Sequence, residues 1–160
     1  MLPDKLQLEF TSLPENIHLV EKFVEDICDQ FNINNTYFGN ILIALTEAVN
    51  NAIEHGNKKD PSKKVTVLFE SKAEGLSFTV CDEGFGFDPN AVPDPTDLKN
   101  NPENYKGRGI FLIKHLSDKI NFKDGGRKTE IIFRIASINN ELACERIKQL
   151  KLYSAQNKVN

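Results

Sequence analysis

The sequence has no long apolar run, few cysteines and no marked excess of one charge, and each absence narrows the class of protein. No apolar run approaches the roughly 20 residues that a membrane-spanning helix needs. The three cysteines, Cys28, Cys81 and Cys144, are widely spaced, which argues against a disulfide framework or a zinc site and favours a reducing cytosol. The net charge is −3 and no dense Lys/Arg stripe occurs, so nucleic acid is not a favoured partner.

What is present suits one compact domain. The chain has 160 residues, of which 39% are hydrophobic and 27% are charged, as in ordinary globular proteins with a full-sized core. The N-terminus has an early acid, Asp4, and no apolar segment, so we do not expect a signal peptide. We therefore expect a cytoplasmic protein that does not associate with membranes.

Apolar periodicity predicts alternating strands and helices. Strands are expected at residues 6–10, 65–69, 76–80, 120–122 and 130–135, and helices from Pro14, over residues 37–55 and over residues 110–116. Between residues 82 and 106 the chain carries four prolines and no apolar period, and a loop of this length is usually functional or disordered. The tail, residues 137–160, is expected to form a short helix with a disordered tip.

The second predicted helix places Glu47 and Asn51 on one face, because residues four apart are neighbours on a helix. A carboxylate beside an amide oxygen suits a divalent metal and a reacting hydroxyl group. Taken alone, however, the pair is better explained as the solvated polar face of a surface helix.

Two glycine motifs follow. The segment Asp82-Glu83-Gly84-Phe85-Gly86 comes directly after a predicted strand, where glycines allow close approach of the backbone and an acid can accept a hydrogen bond from a base. The segment Lys106-Gly107-Arg108-Gly109 precedes a helix, where exposed N–H groups form an anion site. A plain turn and a flexible hinge are the simpler interpretations, and each motif alone is weak.

The order of the three motifs resembles the ATP-binding module shared by gyrase, the Hsp90 chaperones, histidine kinases and MutL. It is most similar to the small stand-alone branch of that superfamily, the bacterial anti-sigma-factor serine/threonine protein kinases. Residues 46–56 resemble the Asn-bearing helix motif, residues 82–86 the adenine box and residues 107–113 the phosphate box. The resemblance covers roughly residues 6–135. It implies a Bergerat fold, an α/β two-layer sandwich whose mixed, mostly antiparallel sheet has about three helices on one face, within a domain of residues 1–136.

The resemblance also implies roles for individual residues. Glu47 would be the general base, and Asn51 would bind Mg²⁺ through its amide oxygen. Asp82 would accept a hydrogen bond from the adenine amino group, with the loop after it acting as a lid. The remaining nucleotide-binding residues implied are Gly84, Gly86, Lys106, Gly107, Arg108, Gly109 and Thr129. Some family members place an arginine just before the phosphate box, but Tyr105 and Lys106 stand there, which leaves open the cation that meets the γ-phosphate.

The implied activity is ATP- and Mg²⁺-dependent phosphorylation of a small anti-sigma-factor antagonist of the STAS type. The protein would also sequester a sigma factor or similar regulator, and would be a homodimer. A non-catalytic ATP-binding switch that sequesters a partner is the alternative, and an ATPase part of a larger machine is a weaker one. A histidine kinase is disfavoured, because the sequence leaves no room for a phosphoacceptor helix pair before the module. His55 and His115 are therefore expected to be structural or surface residues.

Overall fold

The structure, a computed structural model, describes residues 4–86, residues 105–134 and Leu152. Its elements in chain order are β1 (Lys5–Thr11), α1 (Ile17–Gln30), α2 (Asn35–Asn51), β2 (Lys64–Lys72), β3 (Gly75–Cys81), α3 (Tyr105–Leu116), β4 (Lys119–Lys123) and β5 (Lys128–Phe133). Single turns of 3₁₀ helix precede α1 and β5, and a π-helical turn, Ala52–Gly56, follows α2. None of the helices in these ranges is long and apolar enough to cross a membrane.

The five strands form one sheet in the order β1-β2-β3-β5-β4. All four pairings between the described strands are antiparallel. The expectation of a mixed, mostly antiparallel sheet is thus confirmed in its antiparallel part, and no parallel pairing occurs among these strands. The predicted loop falls mainly on residues 87–104, which lie outside the described ranges. The predicted tail, apart from Leu152, lies outside them as well.

The core lies between one face of this sheet and the helices. Strand residues alternate in burial because successive side chains point to opposite faces, and Val65, Val67 and Phe69 of β2 are almost fully buried. A row of rings crosses the core: Phe69 lies 5.3 Å from Phe31 and 5.2 Å from Phe78 between ring centroids. Buried residues of all three helices belong to the same cluster. The two-layer α/β sandwich is thus confirmed.

Helix α2 occupies the middle of the helical layer, because it packs against both α1 and α3. It begins two residues earlier than predicted, since the Asn34 side chain caps it by accepting a hydrogen bond from the Thr36 N–H at 2.9 Å. Its regular hydrogen bonding ends at Asn51, where the sequence predicted a helix through His55. The π-helical turn inserts extra chain at this point, so the residues after Asn51 depart from the simple helical projection.

Helix α3 begins at Tyr105, five residues before the predicted start, so Gly107 and Gly109 lie inside the helix and not in a hinge before it. Glycine costs about 1 kcal/mol in a helix relative to alanine, which is why the sequence indicated a break. Ile110 and Ile113 are buried and α3 packs on α2. This packing offsets the poor helix propensity of the two glycines.

Candidate functional site

The predicted pair Glu47 and Asn51 lies against α3. Both side chains are half-buried. A Cβ placed on Gly109 would be 3.1 Å from Asn51 Nδ2 and 3.2 Å from Glu47 Oε2. Gly109 therefore brings the backbone of α3 directly against the polar face of α2. From the sequence alone this face of α2 could have been exposed to solvent, but in the structure α3 packs against it.

A pocket opens beside this contact, between the end of α2 and the sheet. Its described lining residues are Ala48, Asn51, Ala52, His55, Gly56, Val80, Asp82, Gly86, Gly126 and Thr129. Four of the predicted nucleotide-binding residues, Asn51, Asp82, Gly86 and Thr129, thus meet at one place. They come from α2, from the end of β3 and from β5, which the β3–β5 pairing brings side by side.

Asp82 is held at the end of β3 by contacts on both sides. Its N–H donates to the Arg127 carbonyl at 3.0 Å, and its Oδ1 accepts a hydrogen bond from the Gly84 N–H at 2.8 Å. A Cβ at Gly56 would lie 2.4 Å from Asp82 Cγ. The carboxylate is therefore packed against the backbone of the π-helical turn.

The two glycines after Asp82 are required by contacts within the protein. A Cβ at Gly84 would lie 2.0 Å from the Gly56 carbonyl oxygen, and one at Gly86 would lie 2.0 Å from the Gly125 carbonyl oxygen. Gly86 also has a φ of +81°, which favours glycine. The sequence suggested that these glycines give a ligand room, whereas the structure explains them by the approach of two backbone segments.

Several predicted residues have their backbone described but not their side chains. Lys106, Gly107 and Arg108 lie in the first turn of α3. The first N–H groups of a helix have no partner within the helix, so this turn is the part of α3 where an anion could bind. Gly109 follows immediately and contacts the Glu47/Asn51 pair.

The structure adds neighbours that the sequence did not single out. Asn57, which sequence reasoning took only as part of a helix stop, is 1% exposed and bonds the backbone of Glu83. Cys81 is half-buried beside Asp82, and burial raises the pKa of its thiol, which disfavours the thiolate. His55 lines the pocket with its side chain exposed, and His115 is exposed and stacks on Phe111, as expected for surface residues.

The donor set fits Mg²⁺ and an adenine nucleotide. Mg²⁺ binds through few protein ligands and takes the others from phosphates and water, which a single amide oxygen at Asn51 allows. Within the described ranges, no group of three His, Cys, Asp or Glu side chains could hold a metal by itself. Asp82 supplies a hydrogen-bond acceptor in the same pocket, as recognition of an amino group requires.

Comparison with known proteins gives a consistent result. A family model described as the histidine kinase-like ATPase domain matches residues 10–135. The serine-protein kinase RsbW of Listeria monocytogenes is 26% identical over 122 residues, which cover 73% of this chain and 78% of the relative. The serine-protein kinase RsbW of Staphylococcus epidermidis is 25% identical over 130 residues, which cover 77% and 82%.

A solved structure shares the fold. The crystal structure of the RsbU and RsbW domains of Rv1364c from Mycobacterium tuberculosis matches with a TM-score of 0.55 and 15% sequence identity. The match covers 82% of this chain but 31% of that longer chain. At this identity the similarity concerns the architecture of the α/β sandwich alone.

Proposed function

The chain belongs to the histidine kinase-like ATPase domain family, and from this premise we propose that it is an ATP-dependent serine/threonine protein kinase that acts as an anti-sigma factor. The names of its relatives, serine-protein kinases from two organisms, support this activity. Its proposed substrate is a small anti-sigma-factor antagonist of the STAS type. Its proposed second partner is a sigma factor or similar regulator, bound by a homodimer in the cytoplasm.

The observation that carries the proposal is the contact of Glu47 and Asn51 with Gly109. In phosphoryl transfer the protein mainly positions the reactants and stabilises charge. A base must lie within hydrogen-bond reach of the hydroxyl that attacks. A carboxylate and an amide oxygen share one face of α2 close to Gly109, and this proximity supports a base lying next to the N–H groups proposed to bind phosphate.

In the proposed mechanism Glu47 accepts the proton of a serine or threonine hydroxyl as the hydroxyl oxygen attacks the γ-phosphorus. The bond from the γ-phosphorus to the bridging oxygen breaks, and ADP leaves with its electron pair. Asn51 would hold Mg²⁺ through its amide oxygen, and the bound ion would offset the charge on the phosphate oxygens. Backbone N–H groups of Gly107 and its neighbours bind phosphate at the N-terminus of α3. Lys106 and Arg108 add positive charge there.

The base end of the nucleotide is proposed to lie in the pocket. Asp82 accepts a hydrogen bond from the adenine amino group, and the Thr129 hydroxyl lies on the neighbouring strand at the same pocket wall. Gly84 and Gly86 keep the backbone of this segment close to Gly56 and Gly125. They fix the wall against which the nucleotide lies.

The test is transfer of labelled phosphate from Mg-ATP to serine or threonine of an antagonist protein. We expect Glu47→Ala to bind nucleotide normally and to lose transfer by at least about 10²-fold. Glu54→Ala is the matched control, because Glu54 is an exposed glutamate two turns along the same segment, and it should transfer phosphate normally. Normal transfer by Glu47→Ala would refute the assignment of the base.

A second variant separates metal binding from proton transfer. We expect Asn51→Ala to lose the Mg²⁺-dependent part of nucleotide affinity, measured by calorimetry with and without Mg²⁺. If the wild-type protein binds Mg-ATP and transfers no phosphate to any antagonist, the non-catalytic switch replaces the kinase as the function. In that case the Glu47→Ala variant should regulate its partner as the wild type does.

A further inference from the structure

Asn57 directly follows Gly56 of the pocket lining, and its side chain joins the ends of β1 and β2 to the residue after Asp82. Its side chain is 1% exposed, and each of its polar atoms has a partner. Oδ1 accepts a hydrogen bond from the Glu83 N–H at 2.7 Å. Nδ2 donates to Ser12 Oγ at 2.6 Å and to the Lys64 carbonyl at 3.0 Å.

The two halves of this side chain do different things. The Nδ2 half binds the ends of β1 and β2, where Ser12, itself 0% exposed, also donates to the Lys63 carbonyl. The Oδ1 half binds the backbone of the residue that directly follows Asp82. One amide group therefore ties the sheet edge to the segment that carries the carboxylate.

Asp82 is itself held by the Arg127 carbonyl and the Gly84 N–H. The next residue, Glu83, is tied to β2 a second time, because its exposed carboxylate accepts a hydrogen bond from the Lys64 N–H at 2.9 Å. Gly56, which precedes Asn57, lies against the Asp82 carboxylate, and Gly84 lies against the Gly56 carbonyl. Glycine has the most backbone conformational freedom of all residues, so Gly56 and Gly84 by themselves hold the backbone here only weakly. The part-buried hydrogen bond from the Glu83 N–H to Asn57 Oδ1 restrains the segment where the glycines cannot.

We propose that Asn57 is a positioning residue for Asp82 and so sets the preference of the pocket for adenine over guanine. This inference rests on the proposed function. Adenine presents an amino group where guanine presents a carbonyl oxygen. A carboxylate fixed in place binds the first and repels the second, whereas a carboxylate that can move away discriminates less.

The experiment compares the dissociation constants of ADP and GDP, each with Mg²⁺, for the full chain and its variants. For Asn57→Ala we expect the ADP affinity to fall about 10-fold and the GDP affinity to change little, so that the preference falls by about the same factor. Ser12→Ala is the matched control. It removes a buried partner from the same network but leaves the Glu83 bond, so it should lower Tm and keep the preference.

Asn57→Asp provides a rescue, because its carboxylate keeps an acceptor for the Glu83 N–H while losing both Nδ2 donors. We expect it to retain more of the ADP preference than Asn57→Ala at equal or lower Tm. If Asn57 had a purely structural role, the ADP preference would instead fall in proportion to Tm in all three variants. That result would overturn the proposal.

A measurement on the wild-type protein covers the case in which Asn57→Ala does not fold. Amide hydrogen exchange at Glu83 should be slow in the nucleotide-free protein and change little on ADP binding, because the bond to Asn57 is already formed. Fast exchange at Glu83 that slows only with ADP would refute the proposal. If the wild type binds neither nucleotide, the proposed function fails; if the wild type prefers ADP and Asn57→Ala keeps that preference, only this inference fails.

Discussion

Glu130 lies in the sheet and Glu47 in the helical layer, and the two carboxylates differ in the hydrogen-bond and ion-pair partners around them. Glu130 is on the sheet face that points away from the helices, and it is 4% exposed. Lys72 and Ser77 lie 2.8 Å from its Oε2, and Asn121 and Lys123 lie 3.0 and 3.1 Å from its Oε1. Burial opposes its ionisation, yet these hydrogen bonds hold the pKa of the carboxyl well below its usual range.

Glu47 has a different environment. It is half-buried beside Asn51 and Gly109, and in the part of the chain that the structure describes no lysine or arginine forms an ion pair with it. The carboxylate of Glu130 accepts from four donors, so its lone pairs are occupied and its role is to stabilise the fold. The environment described around Glu47, an amide and a glycine backbone, is compatible with the proton transfer that we propose for it.

The largest effect on stability should come from Glu130→Gln. The neutral side chain leaves Lys123 without its counter-ion and Lys72 with only the 3.9 Å contact to Glu70. The free energy of unfolding should therefore fall by about 2 kcal/mol and Tm by roughly 4–8 °C, while nucleotide affinity stays unchanged. Denaturant unfolding measures this. Glu70→Gln is the control, since Glu70 is 40% exposed and pairs at 3.6 and 3.9 Å. If Glu130→Gln lost nucleotide affinity and kept its stability, Glu130 would belong to the site and would not be a purely stabilising residue.

Gly109→Ala tests the other side of the comparison. The added methyl group lies 3.1–3.2 Å from Asn51 and Glu47 and should displace them, lowering phosphoryl transfer about 10-fold. Stability should hold or rise by up to about 1 kcal/mol, because alanine favours a helix. Gly39→Ala in α2 is the matched control, because nothing lies within 4 Å of its added Cβ. It should gain the same stability and transfer phosphate normally.

Acid should weaken the contacts of Glu130 with Lys72, Ser77, Asn121 and Lys123, which we call the Glu130 network. Since the folded-state pKa of Glu130 lies below its ordinary value of 4.5, the network stabilises the fold above that value and is lost as the pH falls toward the folded-state pKa. The difference in unfolding free energy between wild type and Glu130→Gln should therefore shrink by about 1 kcal/mol between pH 5 and pH 3. A difference that stays constant over this range would show that the charge of Glu130 contributes nothing.

The smallest effect should come from Lys5→Ala. Lys5 pairs with Glu70 at 3.6 Å, but the two side chains are 76% and 40% exposed, and exposed pairs contribute little. We expect a loss below about 0.5 kcal/mol that disappears in high salt. A loss as large as that of Glu130→Gln would mean that burial does not set the strength of ion pairs on this face.

The regular parts of the fold were predictable, because alternation and helical periodicity follow directly from burial on one side. The strand at residues 76–80 and the turn before it needed no long-range information. The start of α3 was wrong, because Gly107 and Gly109 have poor helix propensity and the packing that compensates comes from α2. The π-helical turn after Asn51 has no marker in its sequence.

The placement of the candidate residues was predictable in part. Helical spacing puts Glu47 and Asn51 on one face and the strand pattern puts Asp82 at a strand end, whereas their meeting in one place was expected only from the family resemblance. The role of Asn57 did not follow, because its partners Ser12 and Glu83 are distant in sequence. The same holds for Glu130, whose neighbours come from three other strands.

The pairing of β1 with β2 also bears on how fast the chain folds. Thr11 pairs with Lys64 and Lys5 pairs with Glu70, while α1 and α2 lie between them in sequence. Closing such a long loop costs conformational entropy before its contacts form. Domains dominated by such distant pairings fold in milliseconds to seconds, slower than helical bundles. We therefore expect β1 to dock late in folding, after the helices have packed on the hairpin of β2 and β3.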